Sequence, residues 1–323
     1  MEIFMKRAIG IDIGGTKCAV SIGTMQDSII SVLQRQEIPT QGTPMELLNK
    51  MVDMATDMIK TYGTPDCCGI VCGGPLDSSK GVILSPPNLP GWDNIKAVEF
   101  FANKLNTKTY LTNDADAGAL AEWQFGAGKG SQNMIFITFG TGCGAGLILN
   151  GKLYSGTNDG AGECGHIRLA NIGPVGYGKS GSMEGFCSGG GIAQLGAILA
   201  REQLQQGKKC AFCTDLSQLE NITTKSIAIS AREGDALALE VFKLSGEYLG
   251  KGLAILIDLL NPQKIIIGGV YYRCNDLIWE HTYKVLQKEC LLASLNAVQV
   301  LPSKLGEQIG DYAALSAAFY NIN

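Results

Sequence analysis

Basic runs are missing from this 323-residue chain, only 17% of its residues are charged, and histidine occurs twice. A nucleic-acid-binding protein carries a basic stripe or patch. A net charge of −4 and a pI near 5.4 give no sign of one, so no nucleic-acid partner is expected. Long apolar runs are missing too. None reaches the roughly 18 residues that cross a bilayer. The opening MEIFMKRAIGIDIGG becomes glycine-rich too soon for a secretory signal. No membrane partner and a cytoplasmic location are the expectation. Cysteine is plentiful, at 11, but lacks a pairing pattern. The number is odd, and most sit singly in apolar stretches, as Cys18, Cys72 and Cys143 do. Such thiols read as reduced small core residues. Cys210-x-x-Cys213 has no second pair, which makes a metal or redox role there less expected than coincidence.

What is present is apolar and glycine-rich: 46% hydrophobic residues and 42 glycines, gathered in short loops. Glycine in such loops allows a ligand close to the backbone. Residues 7–13, 18–24 and 28–38 read as a three-strand meander, and residues 44–61 as a helix with Pro44 in its first turn. Strands follow at 67–74 and 109–112, with helices at 94–105 and from about 115. The opening pattern then returns as strands 134–140 and 144–151, followed by a helix at 235–260, a strand at 264–269 and a helix from 311. Alternating strands and helices define an α/β class. Two similar strand-turn-strand units imply a duplicated domain. The expected division is 1–120 and 121–310, with 311–323 returning to the first domain.

DIGGTK places Gly14, Gly15 and Thr16 between two strands, with Asp12 before them and Lys17 after. Successive glycine N–H groups form an anion nest, and a carboxylate at Asp12 can hold Mg²⁺ through water. The same device returns in FGTGCGAG, as Gly140, Thr141 and Gly142. Either turn alone is equally a plain hairpin; two in equivalent halves suit the β- and γ-phosphates of ATP. TNDADAG puts Asn113 and Asp114 between a strand and a helix, where they are helix caps, or a cap and a general base. GECGH sets Glu163 three residues before His166, a pair able to bond adjacent sugar hydroxyls. NLPGWD offers Asn88 and Asp93 for directional hydrogen bonds and Trp92 for the face of a sugar ring, or forms an ordinary turn.

One pattern competes. GPVGYGKS, residues 173–180, matches the phosphate-loop pattern G-x-x-x-x-G-K-[ST] letter for letter. That pattern needs a helix straight after it. The glycines at 181, 185 and 189–191 are expected to prevent one, which removes the helix N-terminus that would face a phosphate.

Taken in order, DIGGTK, GGPLD (73–77), NLPGW, NDA, FGTGCGAG, GECGH and KIIIGG resemble the ROK (repressor, open reading frame, kinase) family from residue 8 to residue 318. The resemblance implies duplicated actin-like, RNase-H-like ATPase domains facing a central cleft that holds ATP and Mg²⁺, and a homodimer. It implies Asp114 as catalytic base and Gly74, Asn88, Asn113, Glu163, His166 and Glu184 at the sugar. It also implies Gly14 to Lys17 and Gly140 to Gly142 as phosphate loops, with Gly268 and Gly269 beside adenosine. The expected activity is ATP-dependent phosphorylation of a hexose or N-acetylhexosamine, glucokinase-like by default. A catalytically inactive sugar sensor is one alternative. A sugar-responsive regulator is the other, and it would need a DNA-binding segment ahead of Asp12. The family's zinc loop departs here. Its three cysteine positions hold Val175, Tyr177 and Ser182, leaving only His166 of four ligands, so no structural zinc is expected. Cys164 and Cys187 lie nearby in sequence, but their spacing matches no zinc pattern.

Overall fold

The computed structural model describes residues 5–27, 29–140 and 142–322. The chain forms two compact units. One comprises Met1–Gln132, Gly146–Gly162 and Lys304–Asn323, the other Asn133–Ala145 and Glu163–Ser303.

The first unit opens with strands β1 (Lys6–Ile13), β2 (Lys17–Gln26) and β3 (Ile29–Pro39), then helix α1 (Pro44–Tyr62) and β4 (Cys67–Cys72). A short hairpin, β5 (Leu76–Asp77) and β6 (Val82–Ile83), precedes α2 (Ala97–Leu105), β7 (Thr109–Asn113) and α3 (Asp114–Phe125). The sheet order is β3-β2-β1-β4-β7. β2 runs antiparallel to β1, whereas β4 and β7 continue parallel. The central strands are apolar because both faces are covered. Every residue of β4 is buried, as expected of a parallel strand flanked by helices. Helix α1 starts at a reciprocal cap: Thr43 accepts from Glu46 N–H while the Glu46 carboxylate accepts from Thr43 N–H. It buries Leu47, Leu48, Met51, Ala55 and Met58, a stripe at helical spacing.

The chain continues through β8 (Met134–Phe139), β9 (Cys143–Leu149) and β10 (Lys152–Tyr154). β9 starts in the second unit, leaves it at Gly146, and β10 pairs back on it antiparallel. The second unit then holds a hairpin, β11 (Val175–Gly176) and β12 (Lys179–Ser180), followed by α4 (Met183–Cys187), α5 (Gly189–Gln205), α6 (Thr224–Arg232) and α7 (Ala236–Leu260). After these come β13 (Lys264–Ile267), α8 (Val270–Glu289), α9 (Leu292–Ala297) and β14 (Gln299–Pro302). Its sheet has β9 beside β8, with β13 and β14 parallel to β8 in turn. The order repeats that of the first sheet, which is the duplication that the two glycine turns implied.

Helix α10 (Ile309–Tyr320) packs on β1 and β4 in the first unit. It approaches so closely that a Cβ at Gly69 would lie 2.4 Å from the Ala314 carbonyl oxygen. Glycine at that strand position is what lets the helix seat there.

Helices α4 and α5 correct one expectation. The glycines around 181–191 do not prevent helices: α4 begins at Met183, and α5 has Gly189, Gly190 and Gly191 as its first turn. Ser182 and Ser188 cap them, accepting from Gly185 and Gly191 N–H. Gly191 is required because a Cβ there would meet the Gly185 carbonyl oxygen at 2.2 Å. The phosphate-loop pattern fails for another reason. Its Lys179 and Ser180 form β12, and Tyr177 and Gly178 take left-handed φ values of 43° and 74° in the hairpin tip. The lysine therefore belongs to a strand, and its ammonium donates to the His166 carbonyl at 2.7 Å.

Candidate active site

In the first unit the candidate residues gather at the carboxyl ends of the parallel strands, where open α/β sheets bind ligands. Asp12 is the last residue but one of β1, and Asp114 follows β7, with β4 between them. Adjacent strands lie about 4.8 Å apart, so the two backbones stand about 10 Å from each other. β4 runs out into Gly73 and Gly74. A Cβ at Gly73 would come 3.7 Å from Asp114 Oδ2, and one at Gly74 3.4 Å from Asn113 Nδ2. The ground between the carboxylates is thus bare backbone, with room for a ligand.

The cap reading of the NDA stretch holds geometrically. Asn113 is the N-cap of α3, its Oδ1 accepting from Ala115 N–H at 2.9 Å, and Asp114 Oδ1 accepts from the same group at 2.8 Å. The Asp114 side chain keeps an exposed surface, so a ligand can reach it. Its crowded surroundings desolvate the carboxylate and raise its pKa, against the pull of the Ala115 N–H. Burial likewise pushes Asp12 up to about 6; Arg35 opposes this and the charge of Asp114 adds to it. A buried carboxylate at Asp12 that resists ionisation is one that a cation would relieve, so its chemistry fits a bound Mg²⁺ held mostly through water.

The DIGGTK turn is closed by Gly14 N–H donating to the Lys17 carbonyl at 3.2 Å. The structure brings Asn88 to this turn: a Cβ at Gly15 would meet the Asn88 carbonyl oxygen at 2.6 Å. Thr16 and Lys17 are exposed, but the Lys17 ammonium is engaged by Glu37 at 2.6 Å. Trp92 is not available to a sugar ring. It is 2% exposed and packs in the core cluster of the first unit with Phe101 and Leu89. The Asp93 carboxylate accepts from the Ser85 hydroxyl.

The second unit gathers the rest. Gly140 N–H donates to Gly142 O at 3.0 Å, and Gly189 N–H donates to Gly140 O at 2.9 Å. Thr141 lies outside the described residues. Glu184, expected at the sugar, holds this loop: Cys143 N–H donates to its Oε2 at 2.9 Å, and a Cβ at Gly142 would stand 2.8 Å from the same oxygen. Gly268 and Gly269 end β13 beside the loop. Gly268 N–H bonds Ile137 O at 2.8 Å, and Gly269, with φ 62°, passes so near Phe139 that a Cβ would lie 1.9 Å from its carbonyl oxygen. Glu163 and His166 are exposed on a short 3₁₀ turn, and the His166 ring meets Tyr177 edge-on at 6.2 Å between centroids. Ser182 caps α4, and Val175 N–H bonds the Gln194 side chain. Among the described residues, no three His, Cys, Asp or Glu side chains cluster to hold a metal ion, and no helix is long and apolar enough to cross a membrane.

Sequence reasoning missed Arg35 and Asp116. Arg35 joins Glu37 on its own strand and pairs with Asp311 of α10 at 2.6 Å, a partner from the far end of the chain that no local pattern reveals. Asp116 lies in the motif already quoted, two residues past Asp114, and is 4% exposed. An acid on the inner side of a helix start was the available signal.

These features define a two-unit α/β ATPase fold of the actin-like, RNase-H-like class, with an acidic strand-end site in one unit and a glycine loop in the other. The sequence model of the ROK family matches residues 8–318, and the chain belongs to that family. It is 32% identical to a glucokinase of Halalkalibacterium halodurans, over 84% of this chain and 82% of that one. The crystal structure of a ROK family glucokinase from Streptomyces griseus in complex with glucose and AMPPNP aligns with a TM-score of 0.74 and 27% identity, covering 97% and 98% of the two chains. The chain is also 28% identical to the DNA-binding transcriptional regulator NagC of Escherichia coli, over 97% of this chain and 76% of that one.

Proposed function

We propose that this protein is an ATP-dependent sugar kinase acting on a hexose or N-acetylhexosamine, with glucose as the default acceptor. The observation that carries the reading is Asp114: a reachable carboxylate with a raised pKa at the start of α3, two strands from a second acid, in a chain resembling glucokinases. A base must reach its proton and hold it during transfer. Asp114 takes the proton of a sugar hydroxyl while that oxygen bonds to the γ-phosphorus. The bond from phosphorus to the bridging oxygen breaks and ADP leaves. Asn113, Gly74 and Asn88 from the first unit, and Glu163, His166 and Glu184 from the second, are the residues proposed to hold the sugar. Gly14 to Lys17 and Gly140 to Gly142 are proposed to offer N–H groups to the phosphates, and Gly268 with Gly269 to border the adenosine. Asp12 would hold Mg²⁺, mostly through water, and the ion would supply charge neutralisation for the transferred group.

Coupled measurement of ADP release across hexoses, hexosamines and N-acetylhexosamines tests this. Sugar-dependent turnover with at least one acceptor is expected. Sugar binding without turnover for every acceptor would replace the reading by a sensor. The similarity to NagC favours one second reading, a sugar-responsive regulator; specific DNA retention in a gel-shift assay that sugar reverses would establish it.

A further inference from the structure

The first unit contains a cavity of 320 Å³ that meets the proposed sugar residues only at Asn113. All five residues of β7, the last strand of the sheet, line it. In a parallel ladder, alternate residues bond the neighbouring strand and the intervening ones turn outward. Cys68 N–H donates to Lys108 O at 2.8 Å, which fixes the phase: the backbone groups of Tyr110 and Thr112 face β4, while those of Thr109 and Leu111, both in the cavity lining, turn away from it. Among the described residues, Leu111 makes no backbone hydrogen bond beyond the ladder with β4. An extended edge of N–H and C=O groups therefore lines one wall, and such groups need a polar partner.

Other lining residues are acidic and hydroxylated. Asp116, buried, accepts from the Ser155 hydroxyl. Asp159 accepts from Ser78 N–H at 2.8 Å and from its hydroxyl at 2.7 Å. The cation in the lining, Lys80, is bound to Asp77 at 2.7 Å. Phosphates and other anions are therefore disfavoured, and an apolar ligand would leave the edge and the carboxylate unmatched. Burial first, then the charges of Asp159 and Asp114, push Asp116 up to about 7, with the Ser155 hydrogen bond opposing. An ammonium beside Asp116 would relieve that cost. Hydroxyl groups, each donor and acceptor, would match the alternating edge. A volume near the lower end of ligand cavities, about 300 to 1,000 Å³, limits the ligand to monosaccharide size.

We propose that this cavity binds a small amine-bearing polyol, an amino sugar or amino alditol, independently of the kinase reading.

The probe is 1-amino-1-deoxyglucitol, with glucitol as the same chain lacking nitrogen, titrated calorimetrically into the whole protein without nucleotide. Saturable binding of the amine is expected, with glucitol at least roughly tenfold weaker, the scale of one charge-assisted hydrogen bond. The Asp116→Asn variant should lose about tenfold while melting no lower than the parent. The His166→Ala variant, altered in the other unit, should bind normally. Wild-type affinity should rise roughly eightfold from about pH 6 to about pH 7.5, as Asp116 ionises. No saturable binding, equal binding of glucitol, parental affinity in Asp116→Asn, or loss in His166→Ala would each overturn the proposal. Loss in His166→Ala would place the polyol at the proposed sugar site instead. A protein with no kinase turnover but with these binding results would leave it standing.

Discussion

The two glycine turns are the same backbone device carrying different charge. Each joins the first two strands of its sheet and is closed by its own hydrogen bond, Gly14 to Lys17 in one and Gly140 to Gly142 in the other. The first is flanked by Asp12 and Lys17 and surrounded by Arg35 and Glu37. The second is flanked by Phe139 and Cys143 and takes its one carboxylate from outside, through Glu184. A nest of N–H groups attracts an anion wherever it occurs. The first turn carries charged side chains of its own, whereas the second has a carboxylate brought from a distant segment. On the proposed reading, the first would handle metal and proton and the second would offer N–H groups to phosphate.

The largest expected effect breaks the acidic half. Asp114→Asn keeps the cap geometry, because an amide oxygen still accepts from Ala115 N–H. Turnover should fall roughly 10²- to 10⁴-fold with sugar affinity kept within about threefold. Steady-state kinetics with calorimetric sugar binding checks this. Turnover near that of the parent would remove Asp114 as the base.

Next in size is a stability effect with a pH signature. Asp116 is an acid whose pKa is raised in the folded state to about 7. The folded state therefore holds its proton more tightly than the unfolded state, and stability falls as pH rises from about 4 to about 7. Asp116→Asn removes that titration and keeps an acceptor for Ser155. A gain on the order of 4 kcal/mol is expected above pH 7, vanishing below about pH 4. Denaturant melts at several pH values test it; a gain that does not change with pH would refute the cause.

How much of this the sequence carried depends on the range of each contact. The first meander, α1 with its early proline, and the glycine turns follow from local pattern, and the strands and helix appear within a residue or two. Helix α2 starts at Ala97, three residues later than expected, because Ile95 is drawn into a bridge with Ile83. Helices α4 and α5 were hidden because glycine reads as a helix breaker, whereas here it admits close backbone contact. Trp92 looked like a sugar platform because exposure is not written in a Pro/Gly turn. Asp114 and Glu184 stood in recognisable motifs, but the Glu184 bond to Cys143 joins distant segments. No spacing rule reaches it.

That bond gives the third prediction. Glu184→Ala leaves Cys143 N–H without its charged acceptor, a loss on the order of 1.5 kcal/mol or about tenfold. The KM for ATP should rise by that factor. Glu184→Gln, which keeps a carbonyl oxygen for Cys143, should restore most of it. If Glu184 serves only the sugar, both variants would change the sugar KM and leave that for ATP alone.

The smallest effect is expected at Lys17, although a lysine beside a glycine turn invites the opposite guess. Its ammonium is already held by Glu37, with side-chain exposures of 59% and 36%. Exposed ion pairs of this kind contribute little. Glu37 also keeps Arg35 when Lys17 is gone. Lys17→Met should therefore raise the KM for ATP by less than about threefold, since the lysine is committed away from the turn. If Lys17 instead leaves Glu37 to meet a phosphate, Lys17→Met would cost tenfold or more. Glu37→Gln, freeing the ammonium, would then lower the KM. Measuring both variants separates a charge that serves the strand pair from one that serves the ligand.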